Sequence, residues 1–252
     1  MKFPNLLTQT DHGLMLVNKG DRMVGRNLIE KGEWELQYIN VIRKLIMRHY
    51  PANQPIEIVD AGANLGVYSL SLHAIPGYTV KVHAIEAQRL IFQILNANIA
   101  LNGIQNVWTH HGAVSNVLGT MQVRCPDLNQ VANFGAFELM KDVRNPDFDG
   151  SAYLPVETIQ TLTIDSLGLE HCAFIKLDVE GMEHLAIQGA LKMLEAQKPI
   201  VFFERHKTDY AAVIADLSAL GYDIWELPSF NVIAMRKGWE LKVTPSRKLT
   251  PD

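Results

Sequence analysis

From Ile56 onward, short apolar runs alternate with amphipathic stretches, whereas the preceding residues follow a different pattern. Leu14-Met15-Leu16-Val17, a polar turn at Asn18-Lys19-Gly20-Asp21 and Arg22-Met23-Val24 predict a hairpin within residues 13–28. Trp34, Tyr38, Val41, Ile42, Leu45 and Ile46 then recur at helical spacing, and Pro51 ends that helix. Beyond it, strands are predicted at 56–59, 80–85, 107–109, 174–179, 200–203, 222–225 and 232–235. Helices are predicted at 67–75, 90–101, 182–194 and 210–220, the last closed by Gly221.

Near-continuous apolar strands separated by helices imply a mostly parallel, doubly wound α/β sheet with both faces covered. The last two runs are separated only by Leu227 to Asn231, too short for a helical crossover, so they should pair antiparallel at one edge. Residues 118–163 break the rhythm with Gly119, Pro126, Gly135, Pro146, Gly150 and Pro155. They read as an insertion of hairpin pieces and a mobile loop, the kind of segment that covers a substrate. The expected organisation is a hairpin and helix over 1–50, an α/β domain over 51–240 and a tail over 241–252.

Composition narrows the chemistry. The 252 residues are 48% hydrophobic, enough for a sizeable core, and the formal net charge of −4 offers no basic field for nucleic acid. Two cysteines without C-x-x-C spacing argue against a disulfide framework or a cysteine zinc site. The start lacks a signal-peptide pattern and no apolar run is long enough for a bilayer, so a cytoplasmic protein without membrane contact is expected.

The segment Ile58 to Ser69 carries the main signal: a buried strand, a glycine-bearing turn and a helix. Gly62 permits a tight bend that a ligand can approach, and Gly66 permits close helix–strand packing. The next strand ends at Glu86, 20 residues past Gly66, where a carboxylate can accept both ribose hydroxyls. A dinucleotide fingerprint needs a middle glycine, and Gly62-Ala63-Asn64-Leu65-Gly66 lacks it. Asp60 is poor company for a pyrophosphate but suits an ammonium group. A ribose-bearing ligand with a cationic amino acid and no phosphate fits both facts, and S-adenosylmethionine is such a ligand. A nicotinamide-dependent oxidoreductase and a non-catalytic cofactor-binding domain are the competing readings. No G-x-S-x-G or P-loop pattern is present.

Val59-Asp60-Ala61-Gly62-Ala63-Asn64-Leu65-Gly66-Val67-Tyr68-Ser69 and Ile175-Lys176-Leu177-Asp178-Val179-Glu180-Gly181-Met182-Glu183 resemble the two hallmark blocks of the FkbM family of methyltransferases. Ala84-Ile85-Glu86-Ala87, Leu101-Asn102-Gly103 and Pro199-Ile200-Val201-Phe202-Phe203-Glu204 are similar to that family as well. The resemblance implies a class I Rossmann-like fold with a seven-stranded sheet and an antiparallel last strand. It also implies methyl transfer from S-adenosylmethionine, generally to a hydroxyl oxygen of a small molecule or sugar.

Carried over by position, Asp60, Ala61, Gly62, Asn64, Gly66 and Tyr68 would wrap the methionine end of the cofactor. Glu86, Ala87 and Gln88 would meet its ribose, and Ala113 and Val114 its adenine. Gln88 departs from the proline of many relatives. Glu35 is a candidate for the cofactor's amino group, or simply a first-turn acid of its helix. Asp178, at the end of the fourth core strand, faces the sulfur or the acceptor. Glu180 and His206 complete the candidate catalytic set, His206 as general base. Glu180 and His184 could share a helix face and hold a metal, but such pairs are usually surface residues, and no metal site is assigned. Homo-oligomerisation is left open.

Overall fold

The computed structural model describes residues 4–135, 153–242 and 246–249. It opens with a two-stranded antiparallel ribbon, β1 (Asn5–Thr10) and β2 (Gly13–Asn18). The hairpin expected within residues 13–28 is therefore displaced toward the N-terminus. Leu14–Val17 lies in a strand, but Val24 begins helix α1 (Val24–Lys31). Asp21 decides this, because its carboxylate accepts the N–H groups of Met23 at 3.0 Å and Gly25 at 2.9 Å and so starts a helix. Helix α2 (Leu36–His49) buries Tyr38, Ile39, Ile42, Leu45 and Ile46 on one face, the predicted stripe.

The alternating part follows as β3 (Pro55–Ala61), α3 (Val67–Leu72), β4 (Thr79–Glu86), α4 (Arg89–Leu101) and β5 (Val107–His111). The ribbon is tied to α4, where Asn98 and Asn102 accept the Leu16 and Leu14 N–H groups at 2.6 and 2.9 Å. Next come β6 (Ala113–Val114), β7 (Gly119–Pro126) and β8 (Tyr153–Leu162), which form a separate three-stranded sheet in the order β6-β8-β7. β7 and β8 are the hairpin pieces expected in the insertion. The mobile loop placed within the insertion falls partly outside the described residues.

The chain then runs through β9 (Cys172–Leu177), α5 (Glu183–Gln188), α6 (Leu191–Gln197), β10 (Ile200–Glu204), α7 (Tyr210–Ala219), β11 (Tyr222–Glu226), β12 (Asn231–Arg236) and β13 (Arg247–Leu249). The single helix expected over 182–194 is two. The Ser115 carbonyl oxygen lies so close to Gly189 that any Cβ there would collide with it, and the helix breaks at this point.

The main sheet has the order β13-β11-β12-β10-β9-β3-β4-β5. β10, β9, β3, β4 and β5 are parallel, while β12 runs antiparallel between β10 and β11. This is the expected seven-stranded core, with β13 as an eighth strand from the tail. Alternate strand residues divide the interior. Ile58, Val82 and Phe202 pack with α2, α3 and α4, while Val59, Ile175 and Phe203 pack with α5, α6 and α7. The strand order reverses between β3 and β9, and the crevice beyond their carboxyl ends is where such sheets bind ligands. Among the described residues, no helix is long and apolar enough to cross a membrane.

Candidate active site

β3 ends in a bend built for close approach. Gly62 sits at φ 74°, and a Cβ on it would collide with the Asp178 carbonyl oxygen. The N–H groups of Gly62 and Ala63 both donate to the Ile85 carbonyl at 2.9 Å, which pins the bend to β4. Asn64 follows at φ 50°. Its N–H donates to one oxygen of Glu86 at 2.9 Å, and the Gln88 N–H donates to the other at 2.8 Å. Glu86 is buried, and burial pushes its carboxyl up to about 7 against these two N–H groups and Lys176. Each oxygen keeps acceptor capacity for a ligand hydroxyl.

Gly62, Asn64, Glu86, Ala87, Gln88, Ala113 and Val114 line a crevice of about 480 Å³. It joins a wider cleft of about 1260 Å³ at Asn64, Gly135, Asp178 and Glu180, which border both. The wider cleft also takes in Glu35 and His206. Gly135, from the insertion, packs over Asn64, and Gln88 holds the adjoining Phe134 carbonyl at 3.0 Å. Part of the insertion thus closes over the crevice.

Asp60, Ala61, Gly66 and Tyr68 border neither space. Asp60 is 1% exposed, and its carboxylate accepts the Ser69 hydroxyl at 2.6 Å. Its charge is matched by Lys176, its register partner on β9, with Nζ 3.6 Å away. Ala61 is buried within β3. Gly66, at φ 92°, leaves the space that the Leu70 and Leu95 side chains fill, which a Cβ there would strike. Tyr68 acts from behind, donating its hydroxyl to Glu35 at 2.8 Å.

Lys176 is the residue that sequence reasoning missed. It is 4% exposed, donates to the Gly62 carbonyl at 3.0 Å and lies 3.3 Å from Asp178. Burial opposes its charge, but Asp178, Asp60 and Glu35 outweigh burial and hold its pKa above the usual lysine value. The available signal was a lone charge in the otherwise apolar run Cys172 to Leu177, a setting that demands a partner. Glu35, N-terminal to α2 at φ 53°, accepts from Tyr68 and from the Asn231 amide at 3.5 Å. Burial first, then Asp178, raises its carboxyl pKa.

Asp178 and Glu180 border both spaces, and His206 sits exposed at the rim of the wider one. Glu180, at φ 55°, is ion-paired with Lys207; burial and Asp178 nevertheless push its carboxyl up to about 8. Glu183 is structural: its buried carboxylate accepts the N–H groups of Val179 at 3.0 Å and Gly181 at 3.1 Å. Because α5 begins at Glu183, Glu180 is not helical and shares no helix face with His184, which pairs with Asp216 at 3.1 Å. No group of three metal-ligating side chains converges among the described residues.

A parallel core with an antiparallel strand inserted beside its edge, and a crevice at the reversal point, defines a class I methyltransferase fold. The model of the methyltransferase FkbM domain matches residues 60–224, and the chain belongs to that family. No curated protein matches it in sequence. Among solved structures, a methyltransferase FkbM from Methylobacillus flagellatus is 17% identical, with TM-score 0.49, over 77% of this chain and 47% of that one. The chain thus spans about half the length of that relative. TYW2 of M. jannaschii, solved with AdoMet, is 12% identical at TM-score 0.46, over 93% and 85% of the two chains. A precorrin-6y C5,15-methyltransferase from Geobacter metallireducens is 12% identical at TM-score 0.45, over 83% and 92%.

The cofactor of this family member is S-adenosylmethionine, and the crevice suits it. Among the described residues the side-chain oxygens of Asn64 and Gln88 are buried there without a partner, ready to accept ligand hydrogens, beside the spare acceptor capacity of Glu86.

Proposed function

We propose that the protein methylates a hydroxyl oxygen of a small molecule or sugar, with the donor nucleoside in the narrow crevice and the acceptor in the wider cleft. The observation that carries this reading is the meeting of the two spaces at Asp178 and Glu180. Gly62, Asn64, Glu86, Ala87, Gln88, Ala113 and Val114 hold the nucleoside, and Glu35 and Asp178 hold the cationic end. Bound there, the donor supplies a methyl group on a positively charged sulfur.

The protein's own task is alignment and removal of one proton. Asp178, kept in place by Lys176, sets a negative charge at the junction. Glu180, tied to Lys207, walls the acceptor side. His206 makes no hydrogen bond among the described residues, and its ring nitrogen takes the hydroxyl proton. Among the described residues, the cleft carboxylates Glu35, Asp178, Glu180 and Glu204 outnumber the lysines Lys176 and Lys207, which repels phosphates and favours a small acceptor over nucleic acid. Two free cysteines accord with a cytoplasmic setting.

Incubation with methyl-tritiated S-adenosylmethionine and a set of hydroxylated small molecules tests the reading. Label in an alkali-stable methyl ether supports it; label recovered on nitrogen or on RNA removes it.

A further inference from the structure

The turn between β11 and β12 holds unusual backbone. Ser229 and Phe230 take φ values of 58° and 63°, a left-handed conformation that glycine and asparagine adopt more readily than a bulky aromatic. Phe230 is also 51% exposed, so core packing does not explain its presence. Strain of this kind gathers at functional surfaces. Ser229 and Asn231, on either side, line the wider cleft, while Phe230 stands just outside that lining, at the rim beside His206. The Phe230 ring lies 5.1 Å from the His206 ring, and the Arg205 guanidinium lies 5.7 Å from its centre. The Arg205 N–H donates to the Phe230 carbonyl at 3.0 Å, fixing the turn against the end of β10.

Glu204 ends β10 and lines the same cleft. Asp178 is tied to Lys176, Glu180 to Lys207, and Glu35 to Tyr68 and Asn231. The Glu204 carboxylate, by contrast, accepts no hydrogen bond among the described residues. It is half-buried with its acceptor capacity unused.

We propose that Phe230 and Glu204 form the acceptor subsite, taking an uncharged hexopyranoside whose C–H face rests on the Phe230 ring while a hydroxyl donates to Glu204. This rests on the methyltransferase reading above and adds the substrate class. The aromatic face and the carboxylate acceptor meet the two halves of such a sugar, one apolar and one hydroxylated. The excess of carboxylates around the cleft, among the described residues, disfavours an acidic one.

Saturation-transfer NMR on the full chain, loaded with S-adenosylhomocysteine, tests this. The probes are methyl β-D-glucopyranoside, methyl β-D-galactopyranoside and the anionic methyl β-D-glucuronide. At least one neutral glycoside should receive saturation and the glucuronide none. Phe230→Gly should weaken that glycoside about tenfold while the melting temperature holds or rises, because glycine relieves the left-handed strain. Glu204→Gln should weaken it by a similar factor. Phe230→Gly should bind S-adenosylhomocysteine within about twofold of the parent, since Phe230 lines neither the nucleoside crevice nor the wider cleft. Undiminished glycoside signal in Phe230→Gly, or no signal from any neutral glycoside on protein that binds S-adenosylhomocysteine, overturns the proposal. Failure of the parent to bind S-adenosylhomocysteine is seen before any sugar is added, and overturns the donor reading and this proposal with it.

Discussion

Glu86 accepts the backbone N–H of Asn64 at 2.9 Å, and so fastens the end of β4 to the bend that follows β3. The same carboxylate has acceptor capacity left, so under the proposed function it serves both the shape of the crevice and the ribose hydroxyls of the donor. Glu86→Ala should lower S-adenosylhomocysteine affinity by at least tenfold, about 1.4 kcal/mol or more. Glu86→Gln keeps an oxygen for one N–H and should fall between. Isothermal calorimetry measures both, and an unchanged dissociation constant in Glu86→Ala would remove Glu86 from the site.

Lys176→Met should destabilise the protein by about 3–5 kcal/mol, because it leaves Asp60 and Asp178 without their cation. Asp60 is almost fully buried, so water cannot substitute for the lost partner. Adding Asp60→Asn to Lys176→Met should recover part of that loss, since one buried charge goes with it. Urea unfolding of both variants gives the comparison. A cost below about 1 kcal/mol for Lys176→Met would mean that the pairing is no stronger than an exposed one.

These two sites show how far the sequence could be read. Glu86 was legible because strand, glycine bend and acid follow one another at fixed spacing. The Asp60–Lys176 pair was not, because the two lie 116 positions apart and meet only through the register of β3 against β9. The parallel strands were readable, since burial on both faces makes them continuously apolar. β1 was missed because a ribbon strand with a single buried residue shows no such run. β13 escaped too, as a three-residue strand whose place depends on pairing with β11. The His206 rim position was readable from its place just past β10, whereas the strained turn carrying Phe230 required coordinates.

Stability should fall as pH rises from about 6.5 to about 8 in the ligand-free protein, above the range in which His12, His49, His83 and His110, whose pKa values burial lowers, act the other way. Burial raises the carboxyls of Glu86 and Glu183 to about 7 and that of Glu180 to about 8, from a usual value of 4.5. Between the usual and the raised values, the folded chain holds protons that the unfolded chain has released. Each further rise in pH therefore favours unfolding, until the folded carboxyls ionise as well. Glu183→Gln should flatten the curve over this range. Donor affinity should run the other way, rising through about pH 7, because hydroxyl donors prefer the ionised Glu86. Urea midpoints that climb across the same range would contradict the assignment.

Two glycines with left-handed backbone separate conformational strain from close approach. Gly62 (φ 74°) faces the Asp178 carbonyl at collision distance for any Cβ, while Gly103 (φ 63°) has nothing within 4 Å of where its Cβ would stand. Gly103→Ala should therefore cost only the backbone preference, about 1 kcal/mol. Gly62→Ala adds a clash between two backbones that cannot both move, since one is pinned to Ile85 and the other to Ala61 by the Asp178 N–H at 3.1 Å. It should cost several times more and should abolish S-adenosylhomocysteine binding even where the protein stays folded. Thermal melts and calorimetry on both variants check this, and equal behaviour of the two would mean that the bend after β3 has room to spare.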